Sequence, residues 1–369
     1  MKKLYREVNR KMKPTKQQLF KRQITLSEIG EAGQEKLQKA SVLIVGCGGL
    51  GNPIAVYLAA SGIGKLHLVD FDTVDITNLH RQVFYALEDV DKPKAKVLSE
   101  FIKKRAPYTD VSFSNFPITK ENVFDIISNY DIIVDGTDSL PTKYLLNDAC
   151  VLKEKPLVYG SLYKFDGYVA TFNLKQEDGN FSSNLRDAFP KMATDIPNCE
   201  EAGTLNAIVG QIATQQVNEV LKLITGIGKP LTYELLIYNV LQNTQLKMKL
   251  QSKICKEEIQ QIFDTETYFD ASCEVRNPNW LISLDELKQQ IDDVEIISVI
   301  SNQEIKYPFR IDKNISLSAL GNSNFHPKEN KKYVIVCMKG NASYTATKML
   351  KNKFSNASIL SLIGGISNY

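Results

Sequence analysis

Hydrophobic positions change their spacing repeatedly along the first two thirds of the chain. Short β-branched runs predict buried strands, and longer segments with helical periodicity predict helices between them. The expected strands are Ser41–Val45, Lys65–Val69, Tyr130–Asp135, Pro156–Gly160 and Gly167–Phe172. The expected helices are Gly49–Ala60, Lys94–Arg105, Pro141–Lys153 and Leu205–Leu223. This alternation predicts an α/β fold with a Rossmann-like, doubly wound sheet.

The C-terminal part of the chain repeats the alternation on a smaller scale. Its expected elements are a helix near Ser283–Asp292, strands Glu295–Ile300 and Tyr333–Cys337, a helix near Tyr344–Lys353 and a strand Ser358–Leu362. The pattern is weaker before this region. We therefore predict a first domain at 1–250, a linker at 251–265 and a smaller α/β domain at 266–369. The long polar segment from Lys175 to Gly203 is expected to be functional or disordered.

Composition narrows the functional classes. A net charge of +3 over 369 residues is too small to indicate nucleic acid, and the basic residues of the first 22 positions fit a solvated helix. No apolar run reaches the length of about 18 residues that a membrane span needs. Six scattered cysteines form no C-x-x-C pair, which argues against a cysteine-only zinc site and a disulfide framework. We expect a reduced, cytoplasmic setting.

The strongest chemical signal is a glycine-rich turn between a strand and a helix. Gly46 would permit the tight turn, Gly48 would let the backbone approach a phosphate, and Gly51 would let the helix pack on the strand. Asp70 ends the next strand, 19 residues beyond Gly51, and is expected to hold ribose hydroxyls. The turn predicts a nucleotide site, with a purely structural turn as the alternative.

Cationic and amide side chains follow the ribose acid. Arg81 and Lys94, with Asn78 and Gln82, could converge on a triphosphate, because Arg and Lys neutralise charge on phosphoryl oxygens. Taken singly, Arg81 and Lys94 also fit solvated surface charges. Asp138 lies just past the end of a predicted strand, where a carboxylate can hold Mg²⁺ together with phosphate oxygens. The alternative for Asp138 is a cap on the following helix.

These residues, in this order, resemble the MoeB/ThiF/HesA adenylyltransferase family, relatives of the ubiquitin-activating enzymes. The resemblance runs from about Phe20 to Leu250. It rests on Arg22-Gln23-Ile24, Gly46 to Gly51, Asp70-Phe71-Asp72, Asn78 to Gln82, Lys92-Pro93-Lys94, Asp135 to Asp138 and Cys199 to Gly203. It implies that the C-terminal carboxylate of a ubiquitin-like sulfur-carrier protein, ending in Gly-Gly, attacks the α-phosphate of ATP. The products are an acyl-adenylate and pyrophosphate.

The resemblance also implies site roles. Asp70 would bind ribose, Asp138 would bind Mg²⁺, and Arg22 would reach the nucleotide of the other subunit in a homodimer. The implied nucleotide-binding set is completed by Gly46, Gly48, Gly49, Gly51, Asp72, Asn78, Arg81, Gln82 and Lys94. The family commonly carries two C-x-x-C pairs that hold structural zinc. The first pair would fall near Phe181 and Asn184, which are not cysteines, and the second near Cys255, which stands alone. No zinc is therefore expected.

Cys199 lies at the end of the long polar segment. The resemblance makes it the counterpart of a crossover-loop cysteine that attacks the adenylate or forms an acyl-disulfide with the carrier. The helix start nearby favours a thiolate, whereas Glu200 and Glu201 oppose it by charge repulsion. The alternative is an incidental loop cysteine.

Cys337 begins a second motif. Cys337 to Ser343 resembles the rhodanese loop C-x-x-G-x-R-S, and Leu362 to Tyr369 resembles the rhodanese ending. The resemblance implies a rhodanese-like domain in which Cys337 takes sulfur from a persulfide donor such as a cysteine desulfurase. Ala342 replaces the loop arginine, and Ser298-Val299-Ile300 replaces the usual Asp-Val-Arg. A decayed docking domain is the alternative.

Three functions therefore compete. Adenylation of a sulfur carrier is the leading hypothesis, and the thiamine and molybdopterin pathways both stay open because their carriers end alike. An NAD-dependent oxidoreductase shares the glycine turn and Asp70 but leaves Arg81, Lys94 and Asp138 without a common task. A non-catalytic carrier-binding scaffold is suggested by the missing cysteine pairs and the altered rhodanese motifs.

Overall fold

The chain forms two compact units, Met1–Phe269 and Asp270–Tyr369. The computed structural model describes residues 14–192, 203–268, 277–300, 305–320, 325–328, 330–338 and 340–368. None of the helices in these ranges combines the length and the apolar character that crossing a bilayer requires.

The first unit is built on an eight-stranded sheet. Its strands are β1 (Ser41–Val45), β2 (Lys65–Val69), β3 (Asp110–Ser114), β4 (Ile132–Asp135), β5 (Leu157–Tyr163), β6 (Asp166–Phe172), β7 (Glu234–Asn239) and β8 (Thr244–Lys249). Their order is β3-β2-β1-β4-β5-β6-β7-β8. The strands β1 to β5 pair in parallel, and β6, β7 and β8 extend the sheet antiparallel. The α/β prediction with a doubly wound sheet is confirmed.

Helices cover both faces of this sheet. They are Lys16–Ile24, Gly30–Lys39, Gly51–Ala60, Lys94–Arg105, Val123–Ile127, Leu140–Leu152, Leu185–Ala188, Asn206–Thr225 and Lys256–Thr265. Because successive strand residues point to opposite faces, neighbouring β1 residues enter different cores. Ile44 packs in a core that includes Ile54 and Leu58, while Leu43 packs in one that includes Leu146. The strand is therefore buried on both faces, as a parallel strand between helix layers should be.

The segment expected to be a linker, 251–265, is different in the structure. It contains the helix Lys256–Thr265, on which Ile259 and Phe263 are buried. Phe263 stacks on Phe124 with ring centroids 4.8 Å apart. The apolar residues at i and i+4 give this helix one buried face, so it belongs to the first unit.

The long polar segment from Lys175 is also more ordered than expected over its described part. Asn184 accepts the backbone N–H of Arg186 at 2.8 Å and caps the short helix Leu185–Ala188. Arg186 is buried against Asp148. Residues 193–202 lie outside the described ranges, and with them Cys199.

The second unit holds a smaller sheet of five parallel strands. They are β9 (Leu281–Ile282), β10 (Val294–Ser298), β11 (Lys313–Asn314), β12 (Lys332–Val336) and β13 (Ser358–Leu362), in the order β11-β10-β12-β13-β9. The helices are Leu284–Gln289, Leu317–Leu320 and Asn341–Lys353. Apolar residues of the central strands, such as Ile296 and Val334, form its core. A second α/β unit is present, as predicted.

Candidate functional site

The carboxyl ends of three adjacent strands define one edge of the large sheet. Val45 at the end of β1 is in register with Val69 of β2 and Asp135 of β4. The Gly46 N–H donates to the Val69 carbonyl at 2.8 Å, and the Gly136 N–H donates to the Val45 carbonyl at 2.8 Å. The strand order reverses between β1 and β4, which is where doubly wound sheets open a ligand crevice.

The glycines of the turn are required for different reasons. Gly46 has φ +88°, and a Cβ there would lie 2.8 Å from the Gly136 carbonyl. A Cβ on Gly51 would lie 1.7 Å from the Gly46 oxygen. A Cβ on Gly48, by contrast, would meet only Gln82 Nε2, at an ordinary 3.5 Å. Protein packing therefore demands Gly46 and Gly51 but not Gly48, whose backbone faces space that a ligand can use.

Asp70 ties the glycine turn to the loop after β2. Its Oδ2 accepts the Cys47 N–H at 2.6 Å, and its Oδ1 accepts the Asp72 N–H at 2.8 Å. Burial raises the pKa of Asp70 to about 6, against the opposing charge of Lys94. The carboxylate is thus fixed in position at the end of β2.

Lys94 is a buried cation among acids. Its Nζ lies 2.9 Å from Asp72 Oδ2, and its side chain is 7% exposed. Burial alone would lower the pKa of Lys94, but Asp70, Asp72 and Asp138 together raise it. The Lys94 N–H also donates to the Asp72 carbonyl at 2.9 Å. The start of the helix Lys94–Arg105 therefore presents a charged ammonium to the acids of this edge.

Asp138 does not cap the helix that follows it. Ser139 Oγ accepts the Thr142 N–H at 3.1 Å and is the cap of Leu140–Leu152. Asp138 itself remains exposed to solvent. Crowding by surrounding protein raises the pKa of Asp138, and Lys94 opposes that rise. The capping alternative is therefore wrong, and the Asp138 carboxylate lies just past the end of β4, where it acts electrostatically on Lys94.

Asn78, Arg81 and Gln82 form a compact turn beside the glycines. The Asn78 carbonyl accepts the N–H groups of Arg81 and Gln82 at 3.0 Å. The Arg81 side chain lies against the turn. A Cβ built on Gly49 would be 3.9 Å from both Cγ and Cδ of Arg81. Its Nη1 donates to the Thr77 carbonyl at 3.2 Å.

The side chain of Gln82 contains a buried hydrogen-bond acceptor that lacks a donor within the described part of the chain. Gln82 is 2% exposed, and its side-chain oxygen has no hydrogen-bond partner among the residues that the structure describes. A buried acceptor without a donor is costly, so such groups usually signal a missing water or ligand. Together with the open backbone at Gly48, this oxygen fits a polar ligand seated on the turn.

Two supporting interactions were not anticipated from the sequence. The Tyr85 hydroxyl donates to the Cys47 carbonyl at 2.8 Å and lies 3.3 Å from the Lys94 carbonyl, which links the turn to the lysine. Asp135 Oδ1 accepts the Thr137 N–H at 3.0 Å, and its Oδ2 accepts Lys143 Nζ at 2.9 Å. The single lysine of the largely buried helix Leu140–Leu152 was the available signal for this pair.

Two further predicted residues belong to other parts of the chain. Arg22 is exposed in the last turn of Lys16–Ile24, and no described contact joins it to the crevice. Cys337 belongs to the second unit, where its Sγ accepts the Gly340 N–H at 3.1 Å. In the described ranges no group of three or more His, Cys, Asp or Glu is placed to hold a metal ion. The absence of zinc stays a prediction.

Comparison with known proteins identifies the first unit. The sequence model described as "ThiF family" matches residues 20–258. The chain belongs to the ThiF family. A relative from Thermus thermophilus, named sulfur carrier protein adenylyltransferase, is 40% identical over 255 residues, which are 67% of this chain and 94% of the relative. The ThiF-family match covers every predicted nucleotide-site residue from Arg22 to Asp138.

Longer relatives carry a second activity in their names. The protein of Drosophila sechellia named adenylyltransferase and sulfurtransferase MOCS3 is 32% identical over 375 aligned positions, covering 94% of this chain and 81% of that protein. The protein of the same name from Culex quinquefasciatus is 35% identical, and the chain spans 65% of its length. A crystal structure of Escherichia coli MccB matches with a TM-score of 0.58 at 21% identity, covering 66% of this chain and 74% of that one, and shares the fold.

Proposed function

We propose that this chain adenylates the C-terminal glycine of a ubiquitin-like sulfur-carrier protein with ATP. Membership of the ThiF family and the names of the relatives support the reaction class. The observation that carries the proposal is the buried Lys94 ammonium, which acts electrostatically on Asp70, Asp72 and Asp138 at one sheet edge. A phosphate-neutralising cation thus lies between a carboxylate suited to ribose and a carboxylate suited to a metal ion.

The residues of the crevice fit ATP. The Gly48 backbone is open, and the buried Gln82 oxygen can accept a hydroxyl or amine donor. Arg81 lies beside the same turn and would share phosphate charge with Lys94. Asp70 would accept the ribose hydroxyls, as in other nucleotide sites that end a strand.

The residues also fit Mg²⁺ held with phosphate oxygens. Asp138 is an exposed carboxylate that the helix cap leaves available, and hard cations prefer oxygen ligands. Bound there with the phosphates, the ion would withdraw charge from phosphoryl oxygens. Asp138 would hold it, with Asp72 in the same group of acids around Lys94.

The chemistry needs charge neutralisation and alignment more than proton transfer. A carboxylate oxygen of the carrier forms a bond to the α-phosphorus, and the bond to the oxygen bridging to the β-phosphorus breaks. Pyrophosphate leaves with that electron pair. Since the nucleophile is already ionised, no protein base is required, and Arg81 and Lys94 offset the developing charge.

The second unit and the assembly complete the proposal. Cys337 would receive sulfur from a persulfide donor such as a cysteine desulfurase, consistent with the sulfurtransferase names of the longer relatives. The chain would act as a homodimer in which Arg22 of one subunit reaches the nucleotide of the other. A carrier of either the thiamine or the molybdopterin pathway would supply the Gly-Gly terminus.

ATP–pyrophosphate exchange with carriers that end in Gly-Gly tests the adenylation. We expect exchange with a matching carrier and its loss in Arg81→Ala and Asp138→Ala. Lys92→Ala is the matched control, because Lys92 is an exposed neighbour of Lys94 whose side chain pairs with Asp89. Exchange with no such carrier, or full exchange in both variants, would contradict the proposal. Carrier binding without AMP formation would instead support a non-catalytic scaffold. Protection against thermal unfolding by NAD, but not by ATP-Mg²⁺, would support an oxidoreductase.

A separate variant tests sulfur transfer. Cys337→Ser should leave exchange intact and lower the thiocarboxylate yield when a persulfide donor is supplied, as read by mass spectrometry of the carrier terminus. An unchanged yield would mean that the second unit takes no part in the chemistry.

A further inference from the structure

The Cys337 sulfur lies at one end of a chain of two buried hydroxyls. Cys337 Sγ is 3.3 Å from Ser343 Oγ, and the Ser361 hydroxyl donates to Ser343 Oγ at 2.9 Å. Both serines have no exposed surface, and Cys337 is 5% exposed. The Gly340 N–H donates to the same sulfur at 3.1 Å. The sulfur therefore has two polar partners, and one of them, Ser343, accepts a further hydrogen bond from Ser361.

Three separate elements bring these groups together. Cys337 follows β12, Ser343 lies in the first turn of the helix Asn341–Lys353, and Ser361 lies in β13. The strands β12 and β13 pair in parallel, with Ser361 opposite Ile335. Such a convergence is fixed by the fold and not by local sequence.

The direction of the hydrogen bonds follows from the charge on sulfur. A thiolate only accepts hydrogen bonds, so both Gly340 N–H and the Ser343 hydroxyl must donate to it. The Ser343 proton is then committed to sulfur, and its oxygen needs a donor, which Ser361 supplies. Hydrogen bonds to an ionised group are roughly twice as strong as neutral ones. A neutral thiol would instead donate its S–H to Ser343 Oγ, so the Ser343 proton is directed at the sulfur only when the sulfur is an anion.

The loop itself offers less support than the motif it resembles. Ala342 stands at the arginine position of that motif and has no side-chain donor. Gly340 has φ +86°, and a Cβ there would lie 2.8 Å from the Gly364 nitrogen, so the turn that aims its N–H is tightly packed. The Ser361 hydroxyl from β13 donates to the loop's own Ser343, and not to the sulfur itself, and so supports the side-chain donor that the loop retains.

We propose that Ser361 is a positioning residue that orients the Ser343 hydroxyl toward the Cys337 sulfur and so favours the reactive thiolate. The inference rests on the proposed role of Cys337 as a sulfur acceptor. In that step the thiolate forms a bond to the outer sulfur of a donor persulfide. The donor's S–S bond breaks, and its electron pair leaves on the inner sulfur as a thiolate. The sulfur atom is transferred without any further oxidant or reductant.

The test is the rate at which iodoacetamide alkylates Cys337 in the full-length chain, followed across pH by peptide mass spectrometry. We expect Ser343→Ala to slow the reaction about tenfold at neutral pH and Ser361→Ala about three- to fivefold, from the loss of charge-assisted hydrogen bonding. Both variants should move the pH–rate profile to higher pH. The double variant should be no slower than Ser343→Ala, because Ser361 acts through Ser343.

Matched controls separate positioning from general disturbance. Ser358→Ala lies in the same strand at an exposed position and should keep the parent profile. Ser361→Thr keeps the hydroxyl and should restore most of the rate, and thermal unfolding checks that each variant is folded. A parent profile in Ser361→Ala, or a double variant slowed by the product of the two single effects, would overturn the proposal.

A second measurement separates this inference from the proposed function. The parent chain is treated with glutathione persulfide, and the Cys337 peptide is examined for one added sulfur atom. No added sulfur would reject the acceptor role, whereas the alkylation series would still decide whether Ser361 orients Ser343. Added sulfur at a rate unchanged in Ser361→Ala would reject the positioning role alone.

Discussion

Lys94 Nζ lies 2.9 Å from Asp72 Oδ2, although the lysine side chain is 7% exposed and the aspartate side chain 49%. The pair therefore joins a buried cation to an acid at the surface of the crevice. Burial of an unpaired ammonium would favour its neutral form, but the surrounding acids raise the pKa of Lys94 and keep it charged. A ligand phosphate could replace Asp72 as the partner of Lys94, because the Asp72 carboxylate is half exposed and could turn to water.

We predict that Lys94→Met lowers ATP–pyrophosphate exchange by about 10²- to 10³-fold, because one preorganised charge at the phosphates is lost. Lys94→Arg should recover only part of the rate, since a planar guanidinium does not reproduce a compact ammonium in a closed site. Lys92→Met, at the exposed neighbour, should keep the parent rate. Equal rates for the two methionine variants would show that Lys94 is only structural.

Substitutions of the neighbours Asp138 and Ser139 are expected to act on different properties. The Asp138 variant should lose exchange activity, and the Ser139 variant should lose stability. Ser139→Ala removes the helix cap and should lower the free energy of unfolding by about 1 kcal/mol while keeping exchange. Asp138→Asn should change stability by no more than about 0.5 kcal/mol, abolish most exchange and raise the Mg²⁺ concentration needed for the rest. Denaturant unfolding and exchange at varied Mg²⁺ measure both. The opposite pattern would make Asp138 the structural residue of the two.

The glycine turn and Asp70 could be predicted because their signal is local. A β-branched strand, a turn with fixed glycine positions and a helix follow one another directly, and Ser41–Val45 and Lys65–Val69 have the bounds that the pattern gives. Asp138 was ambiguous, because an aspartate before a helix suits both a cap and a metal ligand. In the structure its neighbour Ser139 performs the capping, and the metal role of Asp138 stays a prediction.

Other features depend on partners far away in sequence. The strands β7 and β8 were not predicted, since most β8 residues are exposed and the alternation that marks a half-buried strand is weak. The helix at 256–265 is short and mostly polar, and its Phe263 gains its burial from Phe124. Arg186 and Asp148 pair across 38 positions of sequence, which no local pattern reveals.

Nucleotide binding should depend on the ionisation of Asp70. Its pKa of about 6 lies above the ordinary value, so the folded chain binds more protons than the unfolded chain between about pH 4 and pH 6. Raising the pH through this window therefore lowers the contribution of Asp70 to stability. The ionised form that prevails above the window is the better acceptor for ribose hydroxyls.

We accordingly expect the KM for ATP to rise as the pH falls through about 6. Asp70→Asn should raise the KM at neutral pH and remove this dependence. Asp110→Asn, at the exposed start of β3, is the control and should keep the parent profile. Exchange measured between about pH 5 and pH 8 checks the expectation, which a pH-independent KM in the parent chain would contradict.

The buried acid Asp148 should be a major determinant of stability in the first unit. It accepts Arg186 Nε at 2.8 Å and Nη2 at 2.6 Å, and the Tyr268 hydroxyl at 2.5 Å. Asp148→Asn leaves the guanidinium buried without its counter-charge, so we expect a loss of about 3 to 5 kcal/mol in the free energy of unfolding. Tyr268→Phe removes one hydrogen bond and should cost about 1 to 2 kcal/mol.

Denaturant unfolding of the full-length chain measures these effects, and two comparisons isolate their cause. Glu154→Gln breaks the exposed pair with Lys256 and should change stability by no more than about 1 kcal/mol. The double variant Asp148→Leu with Arg186→Met replaces both charges by apolar groups and should be less destabilised than Asp148→Asn, because no uncompensated charge remains. A double variant at least as unstable as the single one would show that the pair itself, and not the stranded guanidinium, supplies the stability.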